Sequence, residues 1–156
     1  MLTDSFVFES WPTEFPFVVT QVFGVNPDLY REFYRDARGH QGIDFRARQG
    51  TKIFAVAAGK VSLTFLDPRP RSLGGHNFGV HCRIQHVGGY ETIYAHMDEL
   101  LVEVGQEVAA GQQLGVAGST GYSFAPHLHF KYRGCVMDPT PFVVDLVGRL
   151  ACEEEE

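Results

Sequence analysis

The chain has 156 residues, of which 44% are hydrophobic and 13% aromatic, which is enough for one domain with its own core but cramped for two. The formal net charge is −6, but the terminal run Glu153 to Glu156 supplies four acidic groups, so the rest of the chain carries 13 basic and 15 acidic groups. This near balance, with no basic patch, excludes nucleic acid as an expected partner. The sequence contains no run of about 18 apolar residues, so it predicts no membrane-spanning helix.

The N-terminal residues and the cysteines carry information about export and about disulfide bonds. The start, MLTDSFVFESWPTEF, is acidic and lacks the basic region and apolar run of a signal peptide, so the sequence does not indicate a route of export. Cys82, Cys135 and Cys152 are an odd number of thiols at no metal-ligand spacing. They predict ordinary buried thiols rather than a disulfide framework or a zinc site made of cysteine pairs.

Residues 39–45, GHQGIDF, contain the first candidate metal ligands. The stretch before them, NPDLYREFYRDARG at 26–39, is polar and aromatic, and predicts a long loop or short helix that leads into His40. Gly42 stands between His40 and Asp44, which disfavours a helix and favours a loop that enters a strand. Imidazole and carboxylate are both zinc ligands in proteins.

Short apolar runs separated by glycine dominate the middle of the chain, among them KIFAVAAG, KVSLTFL, GVHCRIQHVGG and YETIYAH. Many short strands at this spacing predict a compact antiparallel β-sandwich or barrel-like domain. In GVHCRIQH, alternation places Val80, Cys82, Ile84 and His86 on one face, which we expect to face the core. His86 would then be a buried histidine with its hydrogen bonds satisfied.

Two segments differ from the strands. Residues 67–77, DPRPRSLGGHN, predict an extended loop of the kind that commonly walls a binding groove. Near the end, Pro141 stands where a helix would begin, and Val143, Leu146, Val147 and Leu150 recur at helical spacing. We therefore expect a short C-terminal helix that packs on the domain and is followed by a solvated acidic tail.

Residues 126–130, PHLHF, supply two more imidazoles. In a strand, His127 and His129 would share a face, so both could bind a metal, or one could bind it while the other handles a proton. Two imidazoles and one carboxylate would leave Zn²⁺ an open position for water, which is the composition of a catalytic site. His96, in TIYAHM, directly follows a strand pattern, but its role is not readable from the residues alone.

Several blocks occur together in one order: GHQGIDF, AVAAGKV, IQHVGGYETIYAHM, VEVGQEVAAGQQLGVAGSTG and PHLHF. In this order the chain resembles the lysostaphin-like (LytM-type) zinc metalloendopeptidases, which cut cross-links of peptidoglycan. The resemblance runs from about Val22 to Pro139, and Met97 stands where leucine is usual. It implies a compact antiparallel β fold with a narrow substrate groove across one sheet. It also divides the chain into an N-terminal extension at 1–20, a peptidase domain at 21–140, and the helix and tail at 141–156.

The resemblance assigns roles to the polar residues. It implies one Zn²⁺ per chain, held by His40, Asp44 and the second histidine of PHLHF, His129. It implies that His96 and His127 act beside the metal as acid/base and transition-state groups, without indicating which is the general base.

The resemblance also implies a substrate and a location. The substrate would be peptidoglycan peptides, cut at the cell envelope or outside the cell, and Tyr34 matches a substrate-binding tyrosine in the groove of some relatives. No wall-binding module is expected within 156 residues, so targeting would come from elsewhere or from a larger phage-type or envelope assembly.

Two other functions are compatible with parts of this pattern. Some relatives with eroded sites are non-catalytic modules that bind the wall or regulate an amidase, but all five polar positions are present here. An Fe(II) oxygenase uses the same ligand types, two histidines and one carboxylate, but keeps three coordination positions open, and the spacing of His40 and Asp44 is not its usual one.

Overall fold

The computed structural model describes residues 6–15, 17–21, 23, 42–133, 140 and 143–147. Within these residues the chain is mainly antiparallel β-structure, as the sequence predicts. The strands are β1 (Val19–Gln21), β2 (Ile43–Phe45), β3 (Lys52–Phe54), β4 (Gly59–Phe65), β5 (Val80–Gln85), β6 (Glu91–Leu100), β7 (Glu107–Val108), β8 (Gln113–Ala117) and β9 (Leu128–Arg133), and a 3₁₀ turn spans Arg71–Leu73.

The described strands form a single sheet with a branch. Its main order is β1-β2-β9-β6-β5-β4-β7, and β8 pairs with both β6 and β3 outside that order. Strand β9, near the C-terminus, therefore lies between β2 and β6. This insertion brings residues from distant parts of the sequence onto neighbouring strands.

The branch begins in the middle of β6. Residues Glu91 to Ala95 of β6 pair with β9, whereas Met97 to Leu100 pair with β8. His96 lies at the point where the partner changes. An isolated bridge between Gly118 and His127 joins the ends of β8 and β9 across the gap. The fork thus places the histidines of two sequence blocks at one location.

Alternation along the strands separates a core face from a second face. Val80, Cys82 and Ile84 are buried in the hydrophobic core, which confirms the face predicted for β5. On β9, Leu128 and Phe130 point into the same core, and Phe130 meets Phe45 edge to face at 6.0 Å between ring centroids. His129, between Leu128 and Phe130, consequently lies on the opposite face of the sheet.

His86 is buried and has hydrogen-bond partners at both ring nitrogens, as the sequence predicts for a core-face histidine. Its Nδ1 lies 2.7 Å from the carbonyl oxygen of Ala58, and its Nε2 lies 2.8 Å from the Thr92 hydroxyl. Because a carbonyl only accepts, Nδ1 carries the proton and Nε2 of the neutral ring accepts from Thr92. The hydroxyl of Tyr94 lies 3.1 Å from that of Thr92 and accepts from the Val56 amide at 3.0 Å. This chain of hydrogen bonds anchors β6 to the core.

The C-terminal region contributes to the core in part. Residues 140 and 143–147 are helical, and Val143 and Leu146 are buried. Val147 was expected on the same face but is about half exposed. At 100° per residue, Leu146 and Val147 flank Val143 on opposite sides, and only the side of Leu146 faces the domain. Leu150 lies outside the described residues.

Other sequence predictions concern residues that the structure describes only in part. Cys82 is a buried free thiol, whereas Cys135 and Cys152 lie outside the described residues. The 67–77 segment is a loop, as predicted, and it contains the 3₁₀ turn. The 26–39 segment lies outside the described part of the chain. Within that part, no helix has both the length and the apolar character needed to cross a membrane.

Candidate metal and catalytic site

Asp44 and His129 form the centre of the site. They are register partners on the adjacent strands β2 and β9, and both are largely buried. Asp44 Oδ1 lies 2.8 Å from His129 Nδ1. The carboxylate oxygen and the imidazole nitrogen, which lie within hydrogen-bond distance of each other, are two of the donor types that Zn²⁺ prefers.

Gly42 makes this approach possible. A Cβ placed on Gly42 would lie 2.3 Å from the carbonyl oxygen of Phe130 and 2.8 Å from Cε1 of the His129 ring. Any side chain there would push the ring away from Asp44. The absence of a side chain at Gly42 therefore leaves room for the His129 ring to lie close to Asp44.

His127 lies next to this pair, as expected for a residue that shares a face with His129. Its Nδ1 lies 2.8 Å from the carbonyl oxygen of Ala125 and 3.3 Å from the Ser123 hydroxyl. Donation from Nδ1 to Ala125 leaves the lone pair of the neutral ring on Nε2. This Nε2 lies 3.8 Å from Asp44 Oδ2, which is too far for a hydrogen bond.

His96 reaches the site because the backbone leaves regular strand geometry. It is the described non-glycine residue with positive φ, at 57°. Its amide donates to the carbonyl of Phe78 at 2.8 Å, and its own carbonyl accepts from the Gly118 amide at 3.0 Å. Simple alternation would put His96 on the core face with Tyr94. The left-handed conformation, which is uncommon for a residue with a side chain, turns the ring towards His127 instead.

The environment of His96 keeps its ring neutral. The ring centroids of His96 and His127 are 4.8 Å apart, and those of His96 and His129 are 5.9 Å apart. Burial, followed by the two neighbouring histidines, lowers the pKa of His96 to about 3. Nδ1 donates to the carbonyl of Thr120 at 2.7 Å. The lone pair of His96 is therefore on Nε2.

The loop at 118–126 positions both catalytic candidates, and the sequence reasoning did not identify this role. Thr120 holds His96 through its carbonyl, and its hydroxyl donates to the Met97 carbonyl at 2.6 Å and accepts from the Val80 amide at 3.0 Å. Gly79 and Gly121 both have positive φ, and their backbones come so close that a Cβ on Gly121 would lie 2.3 Å from the Gly79 amide nitrogen. The only sequence signal was the turn composition of GSTGYSFA.

Aromatic rings line the site beside His129. The ring of Phe78 stacks on that of His129 at 5.7 Å between centroids, and Lys131 Nζ lies 5.9 Å from the centroid of the Phe78 ring. His81 contacts Phe78 edge to face at 5.4 Å and is buried, which lowers its pKa. The half-buried ring of Phe78 thus covers one face of the His129 ring.

Of the six residues predicted for the site, the structure brings four together: Asp44, His96, His127 and His129. Tyr34 and His40 lie outside the described residues. In the described part of the chain, no three acidic, histidine or cysteine side chains are arranged as a complete metal-ligand set. The donor chemistry of Asp44 and His129 fits Zn²⁺, and the third ligand that the resemblance implies is His40.

Comparison with known proteins decides the family. The family model described as "Peptidase family M23" matches residues 38–139, which include all four assembled site residues. The chain belongs to peptidase family M23. The resemblance to lysostaphin-like peptidases is thereby confirmed.

Individual M23 relatives agree in sequence and in fold. Lysostaphin of Staphylococcus simulans is 37% identical over 67% of this chain and 21% of its own length. The peptidoglycan DD-endopeptidase ShyB of Vibrio cholerae is 36% identical over 69% of this chain and 24% of its own length. The crystal structure of a zinc-containing peptidase from Vibrio cholerae superposes with a TM-score of 0.65 at 31% identity, and covers 81% of this chain and 36% of that one. The chain thus spans about a quarter of the length of these curated relatives.

Proposed function

We propose that this M23 chain is a zinc-dependent endopeptidase that hydrolyses peptide cross-links of bacterial peptidoglycan with water as the nucleophile. The observation that carries the proposal is the convergence of Asp44 and His129 at 2.8 Å, with His96 and His127 beside them. Two groups with metal-ligand chemistry and two with proton-transfer chemistry at one place are the parts that metal-assisted hydrolysis needs.

Asp44, His129 and His40 would hold the zinc ion. Asp44 and His129 lie on adjacent strands of the sheet, so their side chains have little freedom to move apart. When bound, the zinc ion supplies a Lewis acid that polarises a peptide carbonyl and lowers the pKa of water to about 7. Holding these ligands on rigid strands favours a fixed geometry for the reacting groups.

His127 is our proposed general base. Its Nδ1 is held by the Ala125 carbonyl, so its Nε2 is the atom that accepts the proton of the attacking water. The Asp44 carboxylate at 3.8 Å stabilises the positive charge that this transfer creates. The same Nε2–H can then donate the proton to the leaving amine. A positioned imidazole of this kind typically contributes about 10² to 10⁴ in rate.

His96 has a different proposed role. Burial opposes a positive charge on its ring, and its pKa of about 3 keeps it neutral at working pH. A neutral ring with its proton on Nδ1 presents an acceptor at Nε2, which suits it to orient the water or an N–H of the substrate. His127 and His96 would thus have different roles because their surroundings differ.

The family and its named members support a proposal for the substrate and location. ShyB is named a peptidoglycan DD-endopeptidase, and lysostaphin is also a sequence relative. We propose that this chain likewise acts on peptidoglycan peptides at the bacterial envelope or outside the cell, with Tyr34 contacting the peptide. Delivery within a larger phage-type or envelope assembly remains part of the proposal.

Digestion of several purified peptidoglycans tests the proposal directly. The full chain is incubated with each wall preparation, with and without a zinc chelator, and the products are analysed by mass spectrometry. We expect cross-linked fragments to be cut at a peptide bond, and the cutting to stop with chelator and return with added zinc. Cutting that is insensitive to chelation would refute the metal mechanism. Wall binding without any new product would identify a non-catalytic module instead.

A further inference from the structure

A surface cleft lies outside the histidine site, between the N-terminal segment and the residues that follow β2. Its volume is about 330 Å³, which is within the range of small-ligand sites. Both of its arginines are exposed, and the aromatic ring beside them is 82% exposed. We call it the Arg46 cleft, and the described residues that line it are Glu14, Phe15, Arg46, Ala47, Arg48 and Thr51.

The two arginines continue the face of β2 that carries Asp44. Ala47 is buried in the hydrophobic core, as Phe45 is, so the alternation of β2 continues past the last residue of the strand. Arg46 and Arg48 consequently lie on the same side of the segment as Asp44. At about 3.3 Å per residue, they stand roughly 7 and 13 Å from Asp44 along the chain.

The Arg46 cleft is connected to the histidine site through the end of β8. The amide of Ala117 donates to the carbonyl of Thr51, which lines the cleft, at 2.8 Å. The next residue, Gly118, donates its amide to the carbonyl of His96 at 3.0 Å and forms the isolated bridge with His127. A peptide that is cut at the histidine site can therefore reach the cleft within a few residues.

The charges of the cleft favour an anionic ligand. No hydrogen bond or ion pair within the described part of the chain engages the guanidinium of Arg46 or Arg48. Glu14 is the acidic group of the lining, and its Oε2 accepts from the Lys52 amide at 3.1 Å. Two guanidinium groups and one carboxylate leave an excess of positive charge. Because a guanidinium offers two parallel N–H donors to a carboxylate, a carboxylate is the ligand group that this cleft suits.

We propose that Arg46 and Arg48 form a substrate subsite that binds a free carboxylate of the peptide on one side of the bond that is cut. This rests on the proposed peptidase function and deepens it by naming the substrate class, a stem peptide that carries a free carboxylate. Uncharged glycine chains offer no such group. The two arginines contribute to substrate binding, and the bond-breaking step belongs to the histidine site.

The test compares two cross-linked stem-peptide dimers that differ only in whether their free carboxylates are intact or amidated. The zinc-loaded full chain is assayed as wild type, as Arg46→Gln, as Arg48→Gln and as Lys60→Gln. Lys60→Gln is the matched control, because it removes one exposed positive charge from β4, which three strands separate from β2 in the sheet. We expect wild type to prefer the acid dimer about tenfold in kcat/KM, through KM, since one exposed ion pair contributes up to about fivefold. Each arginine variant should lower this preference about threefold, and Lys60→Gln should keep it.

Three results would overturn the proposal: equal cleavage of both dimers by wild type, an unchanged preference in Arg46→Gln or Arg48→Gln, or an equal loss in Lys60→Gln. In each case the dimers are still cut, so the proposed peptidase function stands. If neither wild type nor any variant cuts either dimer, that function fails, and equilibrium binding of the two dimers by fluorescence anisotropy decides the role of the arginines. An acid preference that weakens only in the arginine variants supports the subsite, and equal binding of both dimers overturns it.

Discussion

Two buried histidines, His86 and His96, use Nδ1 in the same way but differ at Nε2. Both donate from Nδ1 to a backbone carbonyl, and burial lowers the pKa of both. The Nε2 of His86 is occupied by the Thr92 hydroxyl. No hydrogen bond to a described residue holds the Nε2 of His96, which faces other histidines. A ring whose two nitrogens are both used stabilises the fold, whereas a ring with one nitrogen available can take part in chemistry.

The largest expected effect is loss of the proposed metal site, because the proposed roles of His96 and His127 in hydrolysis require the zinc ion. Asp44→Ala or His129→Ala should lose zinc and reduce hydrolysis of the wall by more than about 10³-fold, since the Lewis acid is lost. Zinc content by elemental analysis and the rate of product release measure the two effects together. Retention of a full equivalent of zinc in either variant would show that the ligand set is wrong.

The second effect concerns the two site histidines beside the metal. His127→Ala and His96→Ala should each lower kcat by about 10² to 10⁴ and retain most of the zinc, since neither is a proposed ligand. Steady-state kinetics on one defined cross-linked peptide, with zinc content as the control, provides the measurement. Complete loss of zinc in His127→Ala would mean that His127 and His129 share or exchange roles.

The third effect separates His86 from the site. His86→Ala should lower the free energy of unfolding by about 2 kcal/mol, because it removes a buried ring together with its hydrogen bonds to the Ala58 carbonyl and the Thr92 hydroxyl. Its kcat at a temperature where it is folded should stay within about twofold of wild type. Urea denaturation gives the first quantity. A kcat that falls as far as in His127→Ala would contradict a purely structural role.

The last expected effect is on stability alone and depends on pH. Burial lowers the pKa of His81, His86 and His96 in the folded chain, so below about pH 6.5 the unfolded chain binds protons that the folded chain does not. Stability should be complete above that pH and fall as the pH decreases, by at most about 1.4 kcal/mol per pH unit for each such group. Urea titrations from pH 7.5 to 5 in chelator measure it. The slope should be smaller in His86→Ala, and an equal slope would exclude His86 as a contributor.

Strand alternation correctly predicted the faces of those residues that follow regular strand geometry. The period of two placed Val80, Cys82 and Ile84 in the core, and put His127 and His129 on one face. It could not predict His96, because regular alternation would have put that ring in the core beside Tyr94.

His96 joins the site through a positive φ at the point where β6 changes partner, and a local pattern does not encode the position of such a fork. Only the resemblance singled out this residue. The supporting contacts of Thr120 and Ser123 depend on the 118–126 loop, whose Tyr122 amide donates to the Asn77 carbonyl of the 67–77 loop. Such long-range contacts leave no periodic signal in the residues themselves.

The pairing of β2 with β9 has a consequence for when the proposed metal site forms. Asp44 and His129 are separated by 85 positions along the chain, and they meet only after nearly the whole sheet has assembled. During synthesis, Asp44 leaves the ribosome long before His129 exists, so an unfinished chain lacks one of the three proposed ligands. Zinc binding would therefore require the completed fold. Chelation should then lower the melting temperature of the folded protein.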